Sequence, residues 1–235
     1  MEVLIAVSKV RKYAVTSSGD TVEVVERPHG GLSVVMADGQ SSGRGAKNIS
    51  SLVVRRVVSL LAEGVRDGAA ARAASDALFT ERGGKVSATL NILSIDQQSQ
   101  TLVITRNNPV PALVARNGEI LVLDEPSQPV GLYRGTRPLI TEVDLEPGLM
   151  AVTYTDGLTY AGDRCGQPMD IASSFRALIE ETEVSPQSIA DTLLEEAMRL
   201  DEQRPSDDIS VVVVGVMPRI GNQVRRMNVR LPLDS

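Results

Sequence analysis

The apolar residues of this 235-residue chain change period in a fixed order, and that order restricts its architecture more than any other feature. Up to residue 37 they fall in short runs: Val3–Val7, Lys12–Thr16, Val22–Glu26 and Leu32–Ala37. Turn formers at 17–20 and 28–31 separate them, so the runs predict strands. From Gly45 the spacing becomes helical, with Ile49, Leu52, Val53, Val57, Leu60 and Leu61 on one stripe and Arg55 and Arg56 off it. Ala69–Phe79 is Ala-rich and predicts a second helix. Strand patterns return at Ser87–Asp96, Thr101–Thr105, Pro111–Ala115, Glu119–Leu123, Leu139–Val143 and Leu149–Tyr154. The turn signals between them include Asn117-Gly118 and Pro147-Gly148. Two helical patterns follow, Ile171–Glu180 and Pro186–Leu200, the second with Ser185 as N-cap and Pro186 at its first position. Ile209–Val216 closes the series as an apolar strand. Strands, two helices, many strands, two helices and a strand predict an α+β fold. Its expected form is an αββα sandwich of two mainly antiparallel sheets, each covered by a helix pair.

No linker-like stretch or internal repeat divides residues 1–216, which read as one domain. Residues 217–235 carry Arg219, Arg225, Arg226 and Arg230 among apolar residues and read as a basic tail, either an edge strand or an arm. The net charge of −6 and the scarcity of aromatics, with no Trp and two Phe, argue against a nucleic-acid partner. Cys165 is the single cysteine, so no intrachain disulfide forms. No apolar run reaches the ~20 residues of a membrane helix, and the first residues do not have the form of a signal peptide. These features lead to the expectation of a soluble, cytoplasmic protein without a membrane partner.

Four acidic positions sit at predicted strand ends, each beside a glycine or a second acid: Asp20, Asp38, Asp156 and the pair Asp207-Asp208. Any one of them alone reads as a turn residue. Together they describe a site gathered from distant strands. Carboxylates with backbone carbonyls suit Mg²⁺ or Mn²⁺, and one His and one Cys rule out a His/Cys zinc cage. His29, between Pro28 and Gly30, reads as a solvated turn residue, and Cys165 as incidental.

The order of motifs resembles the metal-dependent serine/threonine protein phosphatases of the type 2C-like (PPM) family, in their bacterial SpoIIE-like branch. The matching stretches are Ser18-Gly19-Asp20, Asp38-Gly39 through Gly43-Arg44-Gly45-Ala46, Ser87–Ile92 with Asp96, Gln128–Leu132, Leu145–Gly148, Tyr154–Thr159 and Asp207–Ser210. The resemblance implies two Mn²⁺ or Mg²⁺ ions, with Asp38 bridging them, the carbonyl of Gly39 as a further ligand, Asp156 and Asp207 completing the second ion, and Asp20 binding directly or through water. It implies a metal-activated water as nucleophile and no catalytic side chain. Asp208, Asp163 and Arg44 are secondary candidates; Asp208 stands where many relatives have Asn, and Arg44 is placed to receive phosphate. The implied partner is a phosphoprotein. The missing sensor domain resembles the stand-alone feedback phosphatases of the stressosome, which implies a phosphorylated STAS-domain substrate in stress or sigma-factor signalling.

Two segments depart from the family pattern. Arg106-Asn107-Asn108-Pro109-Val110-Pro111 replaces the usual Asn-Ala-Gly-His-Pro-Pro, and Gln40-Ser41-Ser42 replaces an apolar-Gly-small loop. The first motivates an alternative reading as a partner-binding pseudo-phosphatase. Both are expected to hold what is individual to this chain, with the helix after Gly45 as a candidate switch element.

Overall fold

A computed structural model describes residues 1–181, 184–219, 221 and 223–232. Ten strands run in the order β1 (Glu2–Val10), β2 (Asp20–Glu26), β3 (Leu32–Gly39), β4 (Ala88–Asp96), β5 (Thr101–Asn107), β6 (Ala112–Arg116), β7 (Glu119–Leu123), β8 (Leu139–Asp144), β9 (Met150–Tyr154) and β10 (Ile209–Met217). Helices α1 (Gly43–Ala62) and α2 (Asp67–Arg82) follow β3; α3 (Asp156–Thr159), α4 (Ile171–Ile179) and α5 (Pro186–Leu200) lie between β9 and β10. One sheet has the order β2-β3-β4-β5-β8 and the other β1-β10-β9-β6-β7, with every named strand pair antiparallel.

The strands sort their side chains by the two-residue period. In β3, Val34 and Met36 enter the core between the sheets, whereas Val35 and Ala37 face α1 and α2. In β10, Val212, Val214 and Val216 point into the same inter-sheet core, whereas Val211 and Val213 meet α4 and α5. Strands covered on both faces need apolar residues at nearly every position, so these runs barely alternate in polarity. Helix α1 buries Ile49, Val53, Val57 and Leu61 at four-residue spacing. Helix α5 begins as its sequence predicts: the Ser185 hydroxyl accepts from Ser188 N at 3.0 Å in a capping box, with Pro186 at the first position.

The expected strand at Lys12–Thr16 does not form. Its backbone is claimed by the loop before β10: Tyr13 N donates to Pro205 O at 3.0 Å and Lys12 N to the Asp208 carboxylate at 2.9 Å. Ala14 sits at φ 64, which breaks an extended run. The Tyr154–Thr159 motif also changes character after the strand, because Asp156 opens the short helix α3. Among the described residues, nothing after Met217 is helix or strand; that stretch is exposed, and Arg225 reaches Glu26 at 3.4 Å. No helix among the described residues is long and apolar enough to cross a membrane.

Candidate metal centre

Strand register brings the four acidic motifs to one end of the sandwich. Asp20 and Asp38 are directly paired across β2 and β3. Val10 pairs with Ile209, so the loop leaving β1 and the Asp207-Asp208 turn entering β10 meet at that same end. Val211 pairs with Tyr154, which sets Asp156 beside the same turn. Positions from 20 to 208 therefore converge without any local sequence proximity.

Two glycines make the approach tight enough. A Cβ on Gly39 would lie 2.0 Å from Ala46 O, so α1 packs directly on the end of β3. A Cβ on Gly157 would lie 2.1 Å from Asp208 O, so the start of α3 rests on the 207–208 turn. Any other residue at either position would push its carboxylate away from the group.

Asp20 is fully buried. Its Oδ2 accepts from the hydroxyls of Ser210 in β10, at 2.6 Å, and of Thr155 just after β9, at 3.1 Å, both on the opposite half of the sandwich. Its Oδ1 is buried with no hydrogen-bond partner. Burial pushes the Asp20 pKa up to about 6, against the hydrogen bond from Ser210 and the charge of Lys9. Burial pushes Asp38 further, to about 9, with the charges of Asp20 and Asp156 acting in the same direction. Burial and then Asp207 raise Asp156 as well. Asp207 is half-exposed, with Lys12 Nζ 4.0 Å from its carboxylate. The backbone of Asp20 is held by two cations: Lys47 Nζ donates to its carbonyl at 2.9 Å and Lys9 Nζ at 3.1 Å.

Among the described residues, no three His, Cys, Asp or Glu side chains close into a metal cage by themselves. An orphaned buried carboxylate oxygen, three acids driven toward protonation and an all-oxygen donor set fit a hard divalent cation. The ligands such an ion would take are Asp38, the Gly39 carbonyl, Asp156, Asp207 and Asp20.

Of the secondary candidates, Asp208 adjoins the group but is committed to backbone donors, and Asp163 and Arg44 are exposed. Both oxygens of Asp208 accept backbone N–H groups, from Lys12 at 2.9 Å and Gly19 at 2.7 Å, so this buried carboxylate clamps two loops together. Asp163 is exposed on a 3₁₀ turn at Asp163–Cys165, and Arg44 is exposed on the first turn of α1. His29 is exposed on its turn. The sequence reading did not single out Thr155, Ser210 and Lys47, which orient Asp20. Thr155 and Ser210 lie inside quoted motifs, but their polar character carries no sign of a partner over 130 residues away.

The 106–111 segment lies within the fold and forms the passage from β5 in one sheet to β6 in the other. Arg106 is buried, and its guanidinium donates to the carbonyls of Asn108 (3.2 Å), Val110 (3.0 Å) and Glu125 (3.0 Å). Asn108 Nδ2 donates to Tyr154 O at 3.3 Å. The Gln40–Ser42 loop is exposed. Gln40 is tied to Ser87 through backbone and side chain, and Ser41 holds φ at 88.

Comparison with known proteins identifies the family and the fold. Residues 28–217 match the family model described as stage II sporulation protein E. The chain is 22% identical over 199 residues to the stage II sporulation protein E of Bacillus subtilis, covering 85% of this chain and 24% of that protein. It thus spans about a quarter of that relative's length. The solved PP2C phosphatase domain of Bacillus subtilis SpoIIE, with a fragment of its regulatory domain, superposes with a TM-score of 0.78 at 21% identity, over 92% of this chain and 64% of that one. The catalytic domain of the serine/threonine protein phosphatase PstP, solved with two manganese ions, gives 0.69 at 18% identity over 92% and 99%. RsbX in complex with magnesium gives 0.68 at 16% identity over 90% and 94%. With its family match spanning most of the residues and its fold shared with these phosphatase domains, the chain belongs to the SpoIIE family of PP2C-type phosphatase domains.

Proposed function

We propose that the protein is a Mn²⁺- or Mg²⁺-dependent phosphoserine/phosphothreonine phosphatase holding two ions at the carboxylate end of the sandwich. The observation that carries this reading is the convergence of Asp20, Asp38, Asp156 and Asp207 from both sheets, with one Asp20 oxygen buried and unpartnered. The manganese in PstP and the magnesium in RsbX support the choice of ions. In this reading Asp38, the Gly39 carbonyl, Asp156 and Asp207 would hold the ions, and Asp20 would support them from its buried position. When bound, the ions supply an activated water and neutralise charge on the phosphoryl group.

The chain's own residues provide a rigid frame. Thr155 and Ser210 fix the Asp20 carboxylate from across the sandwich, and Lys47 and Lys9 hold its backbone. The half-buried carboxylates Asp38, Asp156 and Asp207 leave the face open to a phosphoester. The half-buried Cys165 and the exposed His29 have no part in this chemistry. The substrate in this reading is a phosphorylated STAS-domain protein of a stress or sigma-factor pathway, as the resemblance to the stressosome phosphatases implies. The alternative, a partner-binding pseudo-phosphatase motivated by the altered 106–111 segment, is separated by Mn²⁺ titration in a calorimeter, because a scaffold would bind no divalent ion strongly.

The decisive experiment is hydrolysis of p-nitrophenyl phosphate and of a phospho-STAS protein with and without Mn²⁺. Turnover should appear with Mn²⁺, vanish with EDTA and fall by at least about a hundredfold in Asp38→Ala. Undiminished turnover in a folded Asp38→Ala protein would sink the metal assignment.

A further inference from the structure

A groove of about 1200 Å³ runs between the outward faces of α1 and α2. Lys47, Ser51, Arg55 and Arg56 line one wall, and Ala73 and Ala77 the other. Its near end touches the candidate metal centre, because the Lys47 amine that lines it also binds Asp20 O and Thr21 Oγ1. The charge of the α1 wall is unlike that of the molecule. Helix α1 carries Arg44, Lys47, Arg55 and Arg56 and no acid, in a chain of net charge −6. Arg55 and Arg56 are exposed, and neither forms an ion pair or hydrogen bond among the described residues. The acids on the α2 wall are engaged: Asp76 accepts from Gly135 N at 2.8 Å, and Glu81 pairs with Arg82 at 3.3 Å.

We propose that this groove docks an acidic segment flanking the phosphorylated residue of the protein substrate. The inference rests on the phosphatase reading and adds the class of sequence the enzyme selects. A phosphoprotein must approach a mouth lined by the half-buried Asp38, Asp156 and Asp207 on an acidic molecule, and the exposed Arg55 and Arg56 on α1 supply a cationic path beside it. Charges of this kind raise association rates and choose partners through long-range attraction. Lys47 and Arg55 are eight residues apart, or about 12 Å along a helix. An extended peptide covers that span in roughly four residues, so the groove reads acids about three to six positions from the phosphoserine. The small side chains of Ser51, Ala73 and Ala77 leave room for the peptide backbone.

The test uses Mn²⁺-loaded protein, a phosphoserine peptide with glutamates three to six positions away, a matched peptide with glutamines there, and p-nitrophenyl phosphate. Binding of the fluorescein-labelled, non-phosphorylated glutamate peptide is read in parallel by anisotropy. The glutamate peptide should show about tenfold lower KM than the glutamine peptide, with the gap closing as salt rises. Arg55→Glu/Arg56→Glu should abolish that gap and the anisotropy signal while p-nitrophenyl phosphate turnover is unchanged, and Arg55→Lys/Arg56→Lys should retain both. Equal KM for the two peptides, or a gap that persists in the charge-reversed protein, overturns the groove assignment. Peptide binding without Mn²⁺-dependent hydrolysis of any substrate overturns the phosphatase reading instead, and with it the description of the occupant as a substrate.

Discussion

Asp38 sits half-buried beside three other carboxylates, and its pKa near 9 shows how strongly the metal-free site resists its charge. The stability consequence has a definite sign. A carboxyl raised from 3.8 to about 9 keeps its proton in the folded state across a range where the unfolded chain has lost it. Folded protein then binds more protons than unfolded, so the stabilising contribution is complete below about pH 4 and is lost as pH rises toward 9. Asp20, raised to about 6, adds to the same trend over the lower part of that window. Thermal melts in EDTA should therefore show Tm falling from pH 5 to pH 9, and Asp38→Asn should flatten that slope. Mn²⁺ should raise Tm at pH 8 in the wild-type protein, with a gain in unfolding free energy of about 2.7 kcal/mol at a hundred times Kd, and do little in Asp38→Asn. An identical pH slope in the variant would contradict the assignment of the raised pKa to Asp38. Asp38 was legible in the sequence because Asp-Gly after an apolar run is a local pattern. The clamp role of Asp208 was not, because its partners, Lys12 and Gly19, lie nearly two hundred residues away.

At the scale of elements, helix α1 and strand β3 show how a single missing side chain positions a site. Gly39 leaves α1 free to rest on the strand end, with Ala46 O where a Cβ would stand. Gly39→Ala should displace the start of α1, cost about 3 kcal/mol in urea unfolding and weaken Mn²⁺ binding measured by calorimetry. Unaltered affinity in that variant would mean the α1 contact does not shape the centre. Most elements were readable from period and punctuation: β3 and β10 from largely apolar runs, β4 from its two-residue alternation, α5 from Ser185-Pro186. Lys12–Thr16 was misread because its hydrogen bonds go to a distant loop, and strand propensity is weak where no neighbouring strand exists to pair with. The departure at 106–111 was visible as a change of letters, but its meaning was not. Only the placement of β5 and β6 in different sheets shows that Arg106 serves three backbone carbonyls at a crossing.

For the molecule as a whole, Asp20 is the residue that joins the two halves of the sandwich. Its backbone belongs to the sheet containing β3, and its carboxylate is held by Ser210 of β10 and by Thr155 at the end of β9. Ser210→Ala removes a 2.6 Å hydrogen bond to a buried carboxylate. The loss should be about 1.5–3 kcal/mol in urea unfolding, the usual worth of a hydrogen bond to a charged group, together with weaker Mn²⁺ binding. A neutral result on both measurements would show that the inter-sheet hydrogen bond does not organise the site. The sequence by itself determined the number and type of layers, because hydrophobic period is a local property enforced by burial on one or two faces. It also determined the chemistry available: oxygen donors in strand-end turns, with one histidine and one cysteine. Only the tertiary structure decided which carboxylates face one another, which is tied up in loop closure, and which cationic helix face adjoins the centre. Those relations depend on strand register and on contacts between positions as far apart as 20 and 210. Pairing across such separations is an outcome of global packing that no local pattern encodes.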